Sequence, residues 1–158
     1  MMKPMLHGQI ASMKEFLERS SRVLTEENSN YAPKEGMFTV AAQMTHAAQT
    51  IEWFLRGAFA SDGFDMDFER MDGEVRAVTS LTVARAWVER ACAEAAKTIE
   101  AHSDAEWSAA LPPGPIMGEQ LRVAIFAAMT DHTAHHRGAL TVYARLLGKV
   151  PAMPYMEM

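Results

Sequence analysis

Apolar residues recur along this chain at intervals of three, four and seven, the spacing that lines one face of an α-helix. From Pro4 to Thr25 the stripe is Leu6, Ile10, Met13, Leu17 and Leu24. The stretch ENSNYAPKEG then gathers Asn, Ser, Pro and Gly and breaks the pattern. A second helix is predicted from Thr39, as its cap, to Phe59, with Met44, Ala47, Ile51, Phe54 and Leu55 as packing surface. Residues 61–79, SDGFDMDFERMDGEVRAVT, are acidic and hold two glycines, which predicts a long connection with one helical turn. Ser80 caps a third, alanine-rich helix that runs to Ala101. HSDAEWSAALPPGPIM follows, and its prolines cannot sit inside a helix. The last helix is expected to begin near Met117 or Gly118 and to reach Leu147, with Gly148 as its stop and Pro151 beyond. The tail KVPAMPYMEM reads as extended chain on the surface.

Four long helices and no strand pattern predict an all-α four-helix bundle, with long connections between helices 2 and 3 and between helices 3 and 4. One domain is expected over residues 1–158. Apolar residues make up 49% of the chain, and a chain of this length buries about two-thirds of its unfolded surface. The 13 methionines suit the filling of an irregular core.

The net charge is −5 with neutral histidines, and no basic stripe is present. That argues against nucleic acid as the main partner, because phosphate contacts need clustered Lys and Arg. No stretch is apolar for long enough to cross a bilayer, so no membrane partner is expected. The N-terminal MMKPMLHGQIASMKEF has no signal-peptide pattern, and the single cysteine, Cys92, forms no internal disulfide. A cytoplasmic location is therefore expected.

Three of the six histidines fall within DHTAHHRGAL, residues 131–140. His132 and His136 are four residues apart, about 40° around a helix from one another, so both can reach one cation. His135 diverges from His136 by about 100° and is expected on the surface or behind the ligands. The pair alone is a weak signal. Its face strengthens it, because Ile125, Ala128, Met129, Ala139 and Tyr143 lie near the same stripe. A buried imidazole needs hydrogen-bond partners or a metal. His46, on the second helix, shares a polar row with Thr39, Gln43, Thr50 and Trp53. A bundle can bring His46 across to the later pair; the alternative is a hydrogen-bonded core histidine. Three imidazoles suit zinc or nickel first, with iron or copper behind, and leave positions open for exchangeable groups. Gln43, Thr50, Asp131 and His135 are the candidates to orient the ligands from behind.

FTVAAQMTHAAQTIEWFLRG, DHTAHHRGAL and YARLLGKVPAMPY, in that order, resemble the motifs of the DinB/YfiT-like superfamily over essentially the whole chain. The resemblance implies a four-helix bundle, usually dimeric, with a divalent metal on His46, His132 and His136. Ala139 departs from the Gln that many members carry after Arg-Gly. The implied chemistry is open: thiol-dependent S-transfer, with bacillithiol or mycothiol in relatives, or hydrolysis of a small molecule. The expectation is a metal-dependent transferase or hydrolase with a small-molecule substrate, a low-molecular-weight thiol as a further partner, and homodimeric assembly. The rival is a non-catalytic metal- or ligand-binding dimeric bundle. No catalytic acid or base is assigned.

Other residues read more plainly. Cys92 sits between alanines and is expected to be buried and inert. Trp53, Trp87 and Trp107 read as core or interface residues, with Trp53 also able to line the site. Arg137 could bind an anionic substrate, but a surface role is preferred. His7 and His102 are expected to be exposed. Asp62, Asp65, Asp67 and Glu69 lack the spacing of a calcium loop and read as a solvated loop.

Overall fold

The computed structural model describes residues 2–157. Among these residues six α-helices form: α1 (Met2–Ser21), α2 (Val40–Phe59), α3 (Phe68–Arg76), α4 (Leu81–Ala101), α5 (Asp104–Trp107) and α6 (Ile125–Leu146). Short 3-10 turns lie at Glu26–Asn28 and Arg122–Ala124. The four long helices make the expected bundle. Leu6, Ile10, Met13 and Leu17 of α1 are all buried, as are Met44, Ala47, Ile51, Phe54 and Leu55 of α2. Thr39 caps α2 by accepting from Ala42 N at 3.1 Å, and Ser80 caps α4 by accepting from Val83 N at 3.2 Å.

Each of α1 and α2 packs against both α4 and α6, which makes α1 and α2 diagonal partners. Side-chain contacts set the directions. Lys3 and His7 at the start of α1 reach Glu100 at the end of α4, so those helices are antiparallel. Arg122, just before α6, donates to the Ala58 carbonyl at the end of α2, so that pair is antiparallel too. The neighbours α2 and α4 are parallel, because both N-termini meet at Ser29: its carbonyl accepts from Ala41 N at 3.0 Å and its hydroxyl from Leu81 N at 2.8 Å. The order is up, down, down, up.

That topology explains where the sequence reading and the structure differ. The chain between α2 and α4 must return the length of the bundle. The segment read as a connection with one turn instead holds the nine-residue helix α3. Only Val75 of α3 is buried, so no apolar stripe announces it. Asp67 caps it, and Arg70–Glu74 and Arg76–Asp72 pairs brace its exposed face. α1 stops at Ser21 rather than Thr25. There Arg85 of α4 donates to the carbonyls of Ser21 and Leu24 at 2.8 and 3.3 Å, serving groups that the helix leaves free. The last helix begins at Ile125, not near Met117. Met117 and Gly118 take left-handed backbone (φ 58° and 60°), and residues 109–111 pair with 120–122 across a bridge between Ala110 and Leu121. The unforeseen α5 follows a capping box of Ser103 and Glu106 and delivers Trp107, fully buried, against Phe59 and Phe126.

The end of α6 matches expectation. Gly148 is left-handed (φ 73°), and Lys149 N donates to the Ala144 carbonyl and Gly148 N to Arg145, the Schellman pattern. The tail then lies on α1, where Arg19 and Arg22 hold Glu157 and Tyr155 meets Phe16 edge-on. No helix among the described residues is long and apolar enough to cross a membrane.

Ser29 ties the crossover from α1 to the starts of α2 and α4. Ser29→Ala leaves the buried Leu81 N–H without an acceptor, and a loss of about 1–3 kcal/mol is expected. Urea unfolding would register it as a lower midpoint with an unchanged slope.

Candidate metal centre

α2 and α6 run antiparallel as neighbours, and this places His46 opposite His132 and His136. The ring centroids lie 5.0 Å (His46–His132), 4.8 Å (His46–His136) and 4.5 Å (His132–His136) apart. One nitrogen from each ring forms a set in which all members lie within 4.8 Å of one another. His135 is exposed and takes no part in that set. All three histidines foreseen in the sequence therefore come together.

The residues fit a divalent ion on several counts. Nε2 of His132 and Nε2 of His136 are 3.3 Å apart. Two nitrogens each bound at about 2.0–2.1 Å to one tetrahedral ion stand roughly 3.3–3.4 Å apart. Nδ1 of His46 is buried with no hydrogen-bond partner among the described residues, and so is Nδ1 of His132, which lies on the other side of its ring from Nε2. A metal ligand must be unprotonated, and burial keeps all three rings neutral. Burial lowers the pKa of His132 to about 4, with the neighbouring histidines adding to the effect. It lowers that of His136 to about 3, again with help from the other imidazoles. His46 is lowered as well, chiefly by burial.

Of the four candidates for orienting the ligands, Gln43 takes that position. Its Oε1 accepts from Nδ1 of His136 at 2.5 Å. Asp131 is exposed, in a groove between α1 and α6. Thr50 lines a cleft together with His46.

His46 and His132 open into a cleft of about 380 Å³, with His136 buried behind them. Its walls are mostly apolar: Phe38 from the loop before α2, Trp53 and Phe54 from α2, and Phe68 and Met71 from α3. Gln49, Thr50 and Asp72 add polar groups. The indole of Trp53 donates to the Asp65 carbonyl at 2.7 Å, which fixes this wall to the chain leading into α3. Phe38, Phe68, Met71 and Asp72 were not foreseen. Three of them lie on α3, the helix that the hydrophobic pattern does not reveal.

The remaining residues stand apart from this cleft. Arg137 lies over the rings of Phe16 and Tyr155 on the α1–α6 face, in keeping with the surface role. Cys92 is buried, and burial pushes its thiol pKa up to about 11, which suits a packing residue and not a nucleophile. His7 and His102, expected to be exposed, are half-buried and partnered. His7 meets Glu100 at 2.6 Å, and His102 stacks on Phe59 at 3.6 Å beside Glu106. Asp65 and Asp67 pair with Arg70 and so serve the entry to α3.

The profile of the DinB family matches residues 9–158, and the chain belongs to that family. Among solved structures, YfiT from Bacillus subtilis is similar in fold, with a TM-score of 0.70 at 13% identity. The match covers 93% of this chain and 88% of that one. YfiT is described as "a probable metal-dependent hydrolase with an unusual four-helix bundle topology". No curated protein matches this chain.

The lowered histidine pKa values set a pH dependence for the metal-free protein. An unfolded histidine takes up its proton near pH 6.5, whereas folded His132 and His136 do so only near 4 and 3. Between these limits the unfolded chain binds more protons, so stability falls as pH drops below about 6.5. Each histidine steepens the fall by at most about 1.4 kcal/mol per pH unit. Urea midpoints of chelator-treated protein between pH 7.5 and 5 should show this decline, and His132→Gln with His136→Gln should flatten it.

Proposed function

We propose that this protein is a divalent-metal-dependent hydrolase of a small molecule, with the ion held by His46, His132 and His136. The observation that carries the reading is the convergence of three neutral imidazoles, two of which line an apolar cleft, with two nitrogens already at the spacing of a tetrahedral edge. Membership of the DinB family and the description of YfiT support the same chemistry. An ion with three neutral protein ligands keeps its full charge and an open position, where it supplies Lewis acidity and lowers the pKa of an exchangeable water or thiol.

The chain's own residues define the substrate. Phe38, Trp53, Phe54, Phe68 and Met71 exclude water and accept a compact apolar or aromatic group. Among the described residues no Lys or Arg lines the cleft, and Asp72 is its one carboxylate. The cleft therefore suits a neutral or cationic substrate rather than a polyanion. Arg76 donates to Asp72 at 2.7 Å and holds that carboxylate at the rim, where it can accept a hydrogen bond from a polar substituent. Zinc and nickel are the ions that three imidazoles suit best under this reading.

Transfer of a small thiol to an electrophile uses the same residues and is the neighbouring possibility. A metal-holding bundle without turnover is the rival. Metal analysis of protein reconstituted with zinc or nickel should find one ion per chain in the wild type and a large loss in His132→Ala. Aryl esters and amides, and a thiol panel with monochlorobimane, then separate the readings. Hydrolysis that needs both the ion and His132 supports the proposal. Thiol-dependent bimane conjugation without hydrolysis moves the assignment to transfer. Stoichiometric metal with neither activity leaves a binding protein.

A further inference from the structure

His136 is tied to a chain of hydrogen bonds whose direction is fixed from its far end. The carbonyl of Phe38 can only accept, and it receives the Tyr143 hydroxyl at 3.0 Å. That contact uses the single proton of the hydroxyl. The tyrosine oxygen therefore accepts from Gln43, whose Nε2 lies 3.1 Å away. The amide is thus oriented with its oxygen toward His136, 2.5 Å from Nδ1. An oxygen acceptor there requires Nδ1 to carry the proton. Nε2, the atom facing His132, is left with its lone pair.

We propose that Tyr143 is a positioning residue for the metal centre: through Gln43 it imposes the Nδ1–H tautomer on His136 and so keeps Nε2 available to the ion. This inference rests on the metal reading above. Tyr143 is buried and sits seven residues, two helical turns, beyond His136 on α6. Gln43 is buried as well, one turn before His46 on α2. The relay ends on a residue of the cleft itself. The Phe38 ring lies 5.3 Å from His46 and beneath the Arg76 guanidinium of α3, at 4.6 Å. One residue thus anchors the relay through its backbone and walls the cleft with its side chain.

Without the hydroxyl, nothing on the far side selects between the two orientations of the Gln43 amide. The flipped amide offers its NH₂ to Nδ1 and moves the ring proton to Nε2, where it competes with the metal. A carboxylate at position 43 cannot donate, so it holds the Nδ1–H tautomer whatever residue 143 is.

The test combines two measurements. Long-range ¹H–¹⁵N spectra of the metal-free protein read the His136 tautomer directly. Nδ1–H is expected in the wild type, a mixture in Tyr143→Phe, and Nδ1–H again in the double variant Gln43→Glu with Tyr143→Phe. Zinc titration against a chelating indicator reads the consequence. Tyr143→Phe should weaken zinc binding by about 10–100-fold when Gln43 is present. Introduced into the Gln43→Glu variant, the same change should cost no more than about twofold. Equal losses in both backgrounds would show that Tyr143 acts only through packing and would overturn the proposal. So would an Nε2–H tautomer in the wild type. Failure of the wild type to bind zinc, nickel or any other divalent ion would overturn the metal reading instead, while the spectra still decide the tautomer.

Discussion

Burying imidazoles against one another is the constraint around which this molecule is arranged. A neutral imidazole brings one donor and one acceptor out of water, and each unsatisfied buried group costs on the order of 1–3 kcal/mol. Three rings in contact at the heart of a bundle multiply that cost. Gln43 satisfies one nitrogen of His136. Nδ1 of His46 and Nδ1 of His132 remain without a protein partner among the described residues. A core assembled for stability alone would place apolar residues there, as at Met44, Ala47, Ala48 and Ile51 of α2. On the proposed reading a cation would take up the lone pairs that the rings turn toward one another, and its binding would add to folding free energy.

The bundle's topology delivers the remainder of the site. Because α2 and α6 are antiparallel neighbours, one histidine on the first and two on the second meet without distortion of either helix. Because α2 and α4 are parallel neighbours, the chain must travel back between them. It does so as α3, which packs chiefly on α2 and places Phe68, Met71 and Asp72 over the histidines. A bundle of simple up-and-down order would join α2 to α4 by a short turn and leave this face of α2 open. The cleft is thus a consequence of helix order as much as of side-chain choice.

Scaffold and cleft were unequally legible in the sequence. The long helices followed from apolar spacing, and the histidine set followed from the four-residue interval on α6 and the polar row on α2. Those features are local or periodic, and periodicity survives in one dimension. Helix α3 escaped because its stability comes from a cap and from exposed ion pairs instead of a buried stripe. The start of α6 was misplaced because Leu121 and Val123 continue the apolar pattern through a segment whose backbone pairs with residues 109–111. The Ser103–Glu106 capping box was present in the letters and would have located α5. Tyr143 was visible on the histidine stripe, but its hydroxyl's partner, the Phe38 carbonyl, lies 105 residues earlier in the chain. No pattern in one dimension reports a contact of that kind.

The separation between ligands and walls has a chemical logic. His132 and His136 are carried by a helix with one face buried from Ile125 to Ala144, and His136 is further fixed by two buried side chains that end on a backbone carbonyl. Such a set holds its geometry within the narrow tolerance that a metal site requires. The α3 wall is secured by one buried residue, Val75, by exposed ion pairs and by hydrogen bonds from Gln49 and Trp53 of α2, with far less buried apolar surface than the long helices. Substitutions in α3 can reshape the cleft without disturbing the histidines. The residues that would hold an ion and the residues that shape the cleft thus lie on different elements, so one set can change without the other.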